Sequence, residues 1–299
     1  MRQQILTISL CCVFILSALS DVLSQPLHRT DLSNLRVNAF AQDSLGYIWI
    51  ATANGLCKSF GESYDVFFYD EADEHSIPSN LITGLYVDDA SKLWISTGKG
   101  ICSMARGKYE FHRYSQSTST GMESFFLGFV QYAGRIYTYG YNGLYEIDEK
   151  NKTLIPRIEV DRQVIYGAVT DSHGNLWLTN GAELIKLDRS LSLISKIVVG
   201  RDDVVNCMVS DREKILLGTE NGIKLLDLHS LEISDGDFPH ALDDLRINQM
   251  LPVDGGRKLL ISTRNKGALV YDMETRDVIS RYNNDAVSYT HLRAHETKA

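Results

Sequence analysis
The apolar residues of this chain come in short runs, without the three-to-four-residue rhythm of an amphipathic helix. Ile48-Trp49-Ile50 is the first such run. Leu93-Trp94-Ile95, Leu176-Trp177-Leu178, Ile215-Leu216-Leu217 and Leu259-Leu260-Ile261 follow it. Three apolar residues in a row, bounded by turn residues, predict a strand covered on both faces. Around the first run the pattern predicts a small antiparallel sheet. Val37–Gln42 reads as a strand that ends at Asp43. In the turn Asp43-Ser-Leu-Gly46 the Asp can bond its own backbone and the Gly is free to take positive φ. Tyr47–Ala51 is the second strand. Thr52-Ala-Asn-Gly55 is a hairpin turn of the Asn-Gly kind, which Asn142-Gly143 and Asn221-Gly222 repeat. Leu56–Phe60 makes a third strand, and Tyr64–Tyr69 a fourth, edged by charged loops. No helix of useful length is signalled beyond the first two dozen residues.

The segments DSLGYIWIATANGL (43–56) and DDASKLWISTGKGI (88–101) are one pattern twice, with Trp49, Thr52 and Gly55 recurring 45 residues later as Trp94, Thr97 and Gly100. The Thr column continues as Gly140, Asn180, Thr219 and Thr263, at steps of 43, 40, 39 and 44. Six copies in phase cover residues 37–282. Four short strands per copy, with apolar central strands, need neighbours on both faces. A propeller and a β-solenoid both supply them, and a repeat near 40 residues favours propeller blades. The expected fold is all-β: a propeller of four-stranded antiparallel blades, about six of them present, as an incomplete seven-bladed ring with an open gap. The small residue after each triplet (Ala51, Ser96, Thr179, Gly218, Ser262) is expected where the strand nears the crowded axis.

The ends read differently. Residues 1–24 have a basic start at Arg2, an apolar run Ile5–Leu19 and small residues at Ser20 and Ser24, the pattern of a secretory signal peptide. The repeats occupy 25–286. Residues 287–299 follow no column of the repeat and are read as a tail foreign to it, adaptor-derived in character. Export changes the reading of the cysteines, because Cys57, Cys102 and Cys207 then remain, an odd number without a CxxC pair. They are expected as small buried apolar residues. The formal net charge of −8 and the lack of a Lys/Arg cluster argue against a nucleic-acid partner.

With these motifs in view, the chain resembles the two-component regulator propeller family. Its repeat runs approximately Val-x-x-Ile/Leu, then Asp-x-x-Gly-x-Leu/Ile-Trp-Ile/Val-Gly-Thr-x-x-Gly-Leu. Val37-Asn-Ala-Phe40, Asp43-Ser-Leu-Gly46 and Ile48-Trp49-Ile-Ala-Thr52-Ala-Asn-Gly55-Leu56 match it, with Ala51 where Gly is usual. Ile77-Pro78-Ser79-Asn80, before the second inner strand, and the opening Asp31-Leu-Ser-Asn-Leu-Arg-Val37 also resemble it. Copy three departs, with Tyr137 for Trp, Gly140 for Thr and no turn Asp. The resemblance implies a periplasmic sensor region of a Bacteroidota hybrid two-component histidine kinase, detecting glycan breakdown products. It also implies a dimeric parent protein, held in the membrane through a C-terminal segment that this chain lacks.

Candidate chemistry is sparse. The Asp column (Asp43, Asp88, Asp171, Asp211, Asp254) places one carboxylate per turn, a blade apart, which suits turn capping better than calcium. His75, His112, His173, His240, His291 and His295 are scattered and expected in exposed loops. Neither a nucleophile elbow nor a phosphate loop occurs. Catalytic residues, metal ligands and cofactors are therefore not assigned. Tyr139 and Tyr141, in the Tyr-dense third copy, are the candidate ligand contacts. Either they stack on a sugar ring, or Tyr137 takes the place of the blade Trp and the other two pack on it. The leading reading is a ligand-sensing propeller for a small glycan. The alternatives are a secreted propeller lyase or glycosidase and a purely structural scaffold.

Overall fold
A computed structural model of the chain describes residues 27–29, 32–34, 36–60, 63–116, 125–200, 203–239, 242–264 and 266–282. The expected signal peptide, the tail from 287, and His240, His291 and His295 lie outside these residues. Strand β1 (Leu27–Arg29) comes first. Blade 1 follows as β2 (Val37–Gln42), β3 (Ile48–Thr52), β4 (Gly55–Phe60) and β5 (Ser63–Phe67). Blade 2 is β6 (Ile82–Val87), β7 (Leu93–Thr97), β8 (Gly100–Met104) and β9 (Phe111–Gln116). Blade 3 is β10 (Phe126–Tyr132), β11 (Arg135–Asp148) and β12 (Thr153–Val164). Blade 4 is β13 (Gly167–Thr170), β14 (Leu176–Thr179), β15 (Glu183–Leu187) and β16 (Leu193–Val198). Blade 5 is β17 (Val205–Asp211), β18 (Lys214–Thr219), β19 (Gly222–Asp227) and β20 (Ile233–Ser234). Blade 6 is β21 (Ile247–Val253), β22 (Lys258–Thr263), β23 (Ala268–Asp272) and β24 (Asp277–Tyr282). Within blades 1, 2, 4, 5 and 6, consecutive strands pair antiparallel in chain order.

Blade 3 reaches four strands differently. The first half of β11 pairs with β10 and the second half with β12. Arg135 and Glu146 form an ion pair, although eleven residues of extended chain span about 36 Å. The element therefore folds back on itself, at Tyr141–Gly143, where Gly143 takes φ +138. Its outer strand β12 then runs parallel to β9 of blade 2 (Thr153↔Ser115), a seam that no repeat column announced.

The turn Asp does two jobs. In blade 1, Asp43 Oδ1 accepts from the backbone N–H groups of Leu45 and Tyr47, both at 3.0 Å, which caps the turn. Its other oxygen accepts from the indole Nε1–H of Trp49 at 3.0 Å. Asp88 with Trp94 (2.8 Å) and Asp171 with Trp177 (2.8 Å) repeat this lock. The indoles are buried between blades, and a buried indole N–H needs a partner. Where the column carries no Trp, the Asp has no indole to hold. Asp254 pairs with Arg257 (2.6 Å) and Lys258 (3.3 Å), so turn capping is not its part. In blade 3 the Trp place holds buried Tyr137, and beside it Glu146 is gripped by Arg135 and Arg157.

The Thr column staples the next turn. Thr52, Thr97, Thr219 and Thr263 each donate their hydroxyl to a carbonyl across the turn, at 2.8–3.0 Å. In blade 4 the pairing Gly167↔Thr179 puts Thr179 in this column, so the expected Asn180 is one residue too far along. Of the small residues after the triplets, Gly218 faces the neighbouring blade rather than the axis. A Cβ on Gly218 would lie 2.6 Å from Ile247 Cγ2, on the inner strand of blade 6. Cys57, Cys102 and Cys207 are buried and none forms a disulfide, as expected. Burial pushes the Cys207 thiol up to about 12.

The gap expected between blades 6 and 1 is not open. Phe40 N–H donates to Gln249 Oε1 at 2.5 Å, and Asn248 Nδ2 donates to the Asn38 carbonyl at 2.8 Å. One apolar cluster joins Phe40, Ile50 and Val66 of blade 1 to Leu260 of blade 6. The six inner strands thus close around an axis without a seventh blade.

Candidate functional site
Five of the six inner strands carry a β-bulge near their start, opposite the end of the second strand. The bulged residues are Asn38, Thr83, Leu127, Asn206 and Asn248. A bulge re-aims a side chain out of the strand's alternation. Here it sends four polar side chains sideways to the next inner strand. Asn38 Nδ2 donates to the Ile82 carbonyl at 2.7 Å, and Thr83 Oγ1 to that of Phe126 at 2.7 Å. Asn206 Nδ2 donates to Ile247 at 3.0 Å, and Asn248 to Asn38. The strands are held at a common height, starting at one end of the axis and finishing at the other.

Blades 3 and 4 break this ring of bonds. The bulge of blade 3 carries Leu127, which has no side-chain donor. Blade 4 is one residue shorter in its second strand and pairs without a bulge. In their place Tyr139 reaches across from β11 toward the backbone of Ala168. Burial drives the pKa of the Tyr139 hydroxyl upward, so it stays protonated. Gly128 makes room for the ring, since a Cβ there would stand 2.4 Å from the Tyr139 hydroxyl oxygen.

The inner strands enclose an axial cavity of about 570 Å³, within the range of small-ligand sites. Its wall is mostly apolar and amide. Tyr139, Tyr166 and Arg264 lie at the end where the inner strands begin. Among the described residues, Arg264 is the single ionised side chain in the wall. Its Nη1 meets Glu220 Oε1 at 3.2 Å, Arg246 Nε meets Glu220 Oε2 at 3.7 Å, and Asn206 donates to Glu220 Oε1 at 2.9 Å. At the opposite end Gln131 bonds Asp89 (2.8 Å) and touches the Tyr86 hydroxyl (3.4 Å). Burial, with the charges of Asp89 and Asp88 behind it, pushes the Tyr86 hydroxyl up to about 12, against the contact with Gln131.

The three tyrosines of copy three go to three places. Tyr137 is buried beside Tyr132, ring centroids 6.5 Å apart. Tyr139 is in the cavity wall. Tyr141 is 50% exposed and lies edge-on to Phe125 at 5.9 Å. Sequence reasoning did not single out Tyr166, Arg264 or the bulge column. The polar residue after each inner-strand opening (Asn38, Thr83, Asn206, Asn248) was the one available signal. The histidines differ in part from expectation. His75 and His173 are exposed, but His112 is half-buried in β9, and its ring stands edge-on to His75 at 6.3 Å. Among the described residues, no three His, Cys, Asp or Glu side chains are grouped to hold a metal ion. No described helix is long and apolar enough to cross a membrane.

Similarity to known proteins centres on this architecture. The family model of the two component regulator propeller matches residues 31–54, the first half of blade 1. No curated protein sequence matches the chain. Among solved structures, the fold is similar to the extracellular domain of BT3049 from B. thetaiotaomicron, described as a hybrid two component system. The TM-score is 0.68 at 19% identity, over 90% of this chain and 38% of that one. The extracellular domain of BT4673 from the same organism, described as a one component system, gives 0.63 at 20%, over 85% and 37%. Virginiamycin B lyase from Staphylococcus aureus gives 0.61 at 11% identity, over 78% of each chain. The chain thus spans about two fifths of the first two of these domains. The repeat matched at residues 31–54 is similar to that of the two component regulator propeller, and the closed ring of six blades makes the chain a β-propeller.

Proposed function
We propose that this propeller is the extracytoplasmic ligand-binding part of a two-component sensor and that its ligand is a small glycan taken up at the axial cavity. The observation that carries the reading is the cavity itself: about 570 Å³, with Tyr139, Tyr166 and Arg264 at one end of an otherwise uncharged wall. Aromatic faces with a few convergent polar groups suit a sugar ring. The two-component repeat favours sensing over turnover, and the similar extracellular domains favour a site outside the cytoplasm. In the longer parent protein, binding would bias the position of a following membrane segment in a dimer.

A propeller lyase is the second reading, and the similarity to virginiamycin B lyase is what recommends it. For the lyase from the same organism, one structure is described as that of a catalytically inactive variant in which a single histidine is replaced by alanine. Among the described residues, the cavity wall here holds neither His, Asp nor Glu, the side chains that most often carry general acid–base work at neutral pH. The two readings separate in one experiment. The purified propeller is titrated calorimetrically with a panel of oligosaccharides, and each mixture is analysed for products after prolonged incubation. Saturable binding with the saccharide recovered intact is expected. Product formation would replace the sensor reading with the enzyme, and lack of any saturable binding would leave only a scaffold.

A further inference from the structure
We infer that the ligand is an oligosaccharide rather than a single sugar, and that Tyr141 carries a second subsite for it on the rim outside the cavity mouth. The inference rests on the binding reading above and deepens it by naming the ligand's length. Tyr137, Tyr139 and Tyr141 stand two residues apart on β11, whose pairing with β10 keeps it extended through Gly140. Alternate residues of a strand leave the same side, about 6.8 Å apart. The three tyrosines therefore climb outward in one file. The first is in the core, the second in the cavity wall and the third, 50% exposed, beyond that wall.

The rim around Tyr141 is built to hold its ring in place. The backbone N–H of Tyr141 donates to the Phe125 carbonyl at 2.9 Å, and the neighbouring Gly140 carbonyl accepts from Ile165 N–H at 2.9 Å. The two rings of Phe125 and Tyr141 meet at 89°, a contact that covers at most one face of Tyr141. Tyr141 pairs with Val164, so Tyr166, 37% exposed, follows two residues along the adjoining chain. Tyr166 is seated against bare backbone. A Cβ on Gly181 would come within 3.4 Å of two of its ring carbons and 3.1 Å of Val204 Cγ1. Beside these rings Gln163 is exposed, and its Oε1 meets Asn180 Nδ2 at 3.5 Å. Open aromatic faces with neighbouring amides suit the apolar faces and hydroxyls of sugars. Tyr139 and Tyr166 belong to the cavity wall and Tyr141 does not. A sugar held in the mouth thus leaves the Tyr141 ring to the next unit of the same chain.

The test is calorimetric titration of the purified propeller with matched pairs: galactose and galactotriose, mannose and mannotriose, glucose and cellotriose. In a pair that binds, the trisaccharide should bind about tenfold or more tightly than its monosaccharide. Tyr141→Ala should weaken the trisaccharide by about threefold to tenfold, the range of one aromatic stacking contact, and so narrow the gap between the two lengths. Tyr141→Phe, which keeps the ring, should preserve that gap. Tyr166→Ala should weaken both lengths. Thermal unfolding of each variant checks that the fold is intact, and the wild-type comparison of lengths stands without the variants. If the monosaccharide binds as tightly as its trisaccharide, or folded Tyr141→Ala leaves the trisaccharide unaffected, the outer subsite is overturned while the binding reading stands. If no member of any pair binds, both are overturned.

Discussion

The lock between turn Asp and blade Trp is open to a quantitative test in blade 4. Asp171 is buried and Trp177 fully so. Asp171 Oδ1 accepts from His173 N–H at 3.0 Å and Asn175 N–H at 2.8 Å, and Oδ2 from Trp177 Nε1–H at 2.8 Å. Hydrogen bonds to a charged group contribute about 1.5–3 kcal/mol each, and a buried donor left unmet costs about 1–3 kcal/mol. Asp171→Ala strands the indole N–H in the core but lets water reach the two turn amides. The expected loss is about 3–5 kcal/mol. Asp171→Asn keeps an acceptor for the turn and turns an amide N–H toward the indole or the turn, which should cost about 1–3 kcal/mol. Trp177→Phe removes the donor together with some core volume. The double-mutant cycle of Asp171→Asn with Trp177→Phe isolates the bond, with an expected coupling of about 1.5–3 kcal/mol. Urea unfolding followed by fluorescence of Trp49 and Trp94 is the assay. Burial works against ionisation of Asp171, but the bonds from Asn175, Trp177 and His173 outweigh it and hold the carboxyl below the usual range. A depressed native pKa stabilises the fold above the unfolded value of about 3.9, and this is lost as pH falls through the native value. The advantage of wild type over Asp171→Asn should therefore shrink below about pH 4. Asp211→Ala is the control, since the Trp place of its blade is Leu216, and its cost should stay within about 0.5 kcal/mol. A coupling below about 0.5 kcal/mol, or an Asp211 variant as damaging as Asp171→Ala, would refute the lock.

Three further outcomes follow from the packing. Gly128→Ala puts a Cβ 2.4 Å from the Tyr139 hydroxyl oxygen; it should destabilise by about 1–3 kcal/mol and weaken saccharide binding, both read by calorimetry. Asn248→Ala removes the donor that ties blade 6 to blade 1 and should cost about 1–2 kcal/mol; hydrogen exchange should then quicken in β2 and β21 before β14, and uniform exchange would speak against a closing bond at that seam. Cys57, Cys102 and Cys207 are buried, so an aromatic disulfide reagent should find them unreactive in native protein at about pH 8 and titrate them on unfolding; rapid native labelling would contradict the closed ring.

Much of the fold was legible because it is local and repeated. An Asp turn, an apolar triplet and an Asn-Gly hairpin each write their geometry into four or five adjacent residues, and six copies in phase make chance agreement remote. Tyr139 was legible as a candidate only because it breaks the column. The rest depended on contacts between copies. Whether six blades close is a question of how wide each wedge is, and that is set by pairs such as Gly218 with Ile247, distant in sequence. Copy four lost one residue, and the sequence could not say whether the loss fell in a loop or removed a bulge. The fold-back of β11 and its seam with β9 arise from chain reversal, not from periodicity.

By itself, then, the sequence determined the blade: its strands, its turns and the residues that cap them, since these follow from short-range propensity and burial on two faces. Only the tertiary structure decided the ring and the site. The axial cavity belongs to no single repeat, and Arg264, Tyr166 and Tyr139 share its mouth because closure of the inner strands brings three separate blades to one axis.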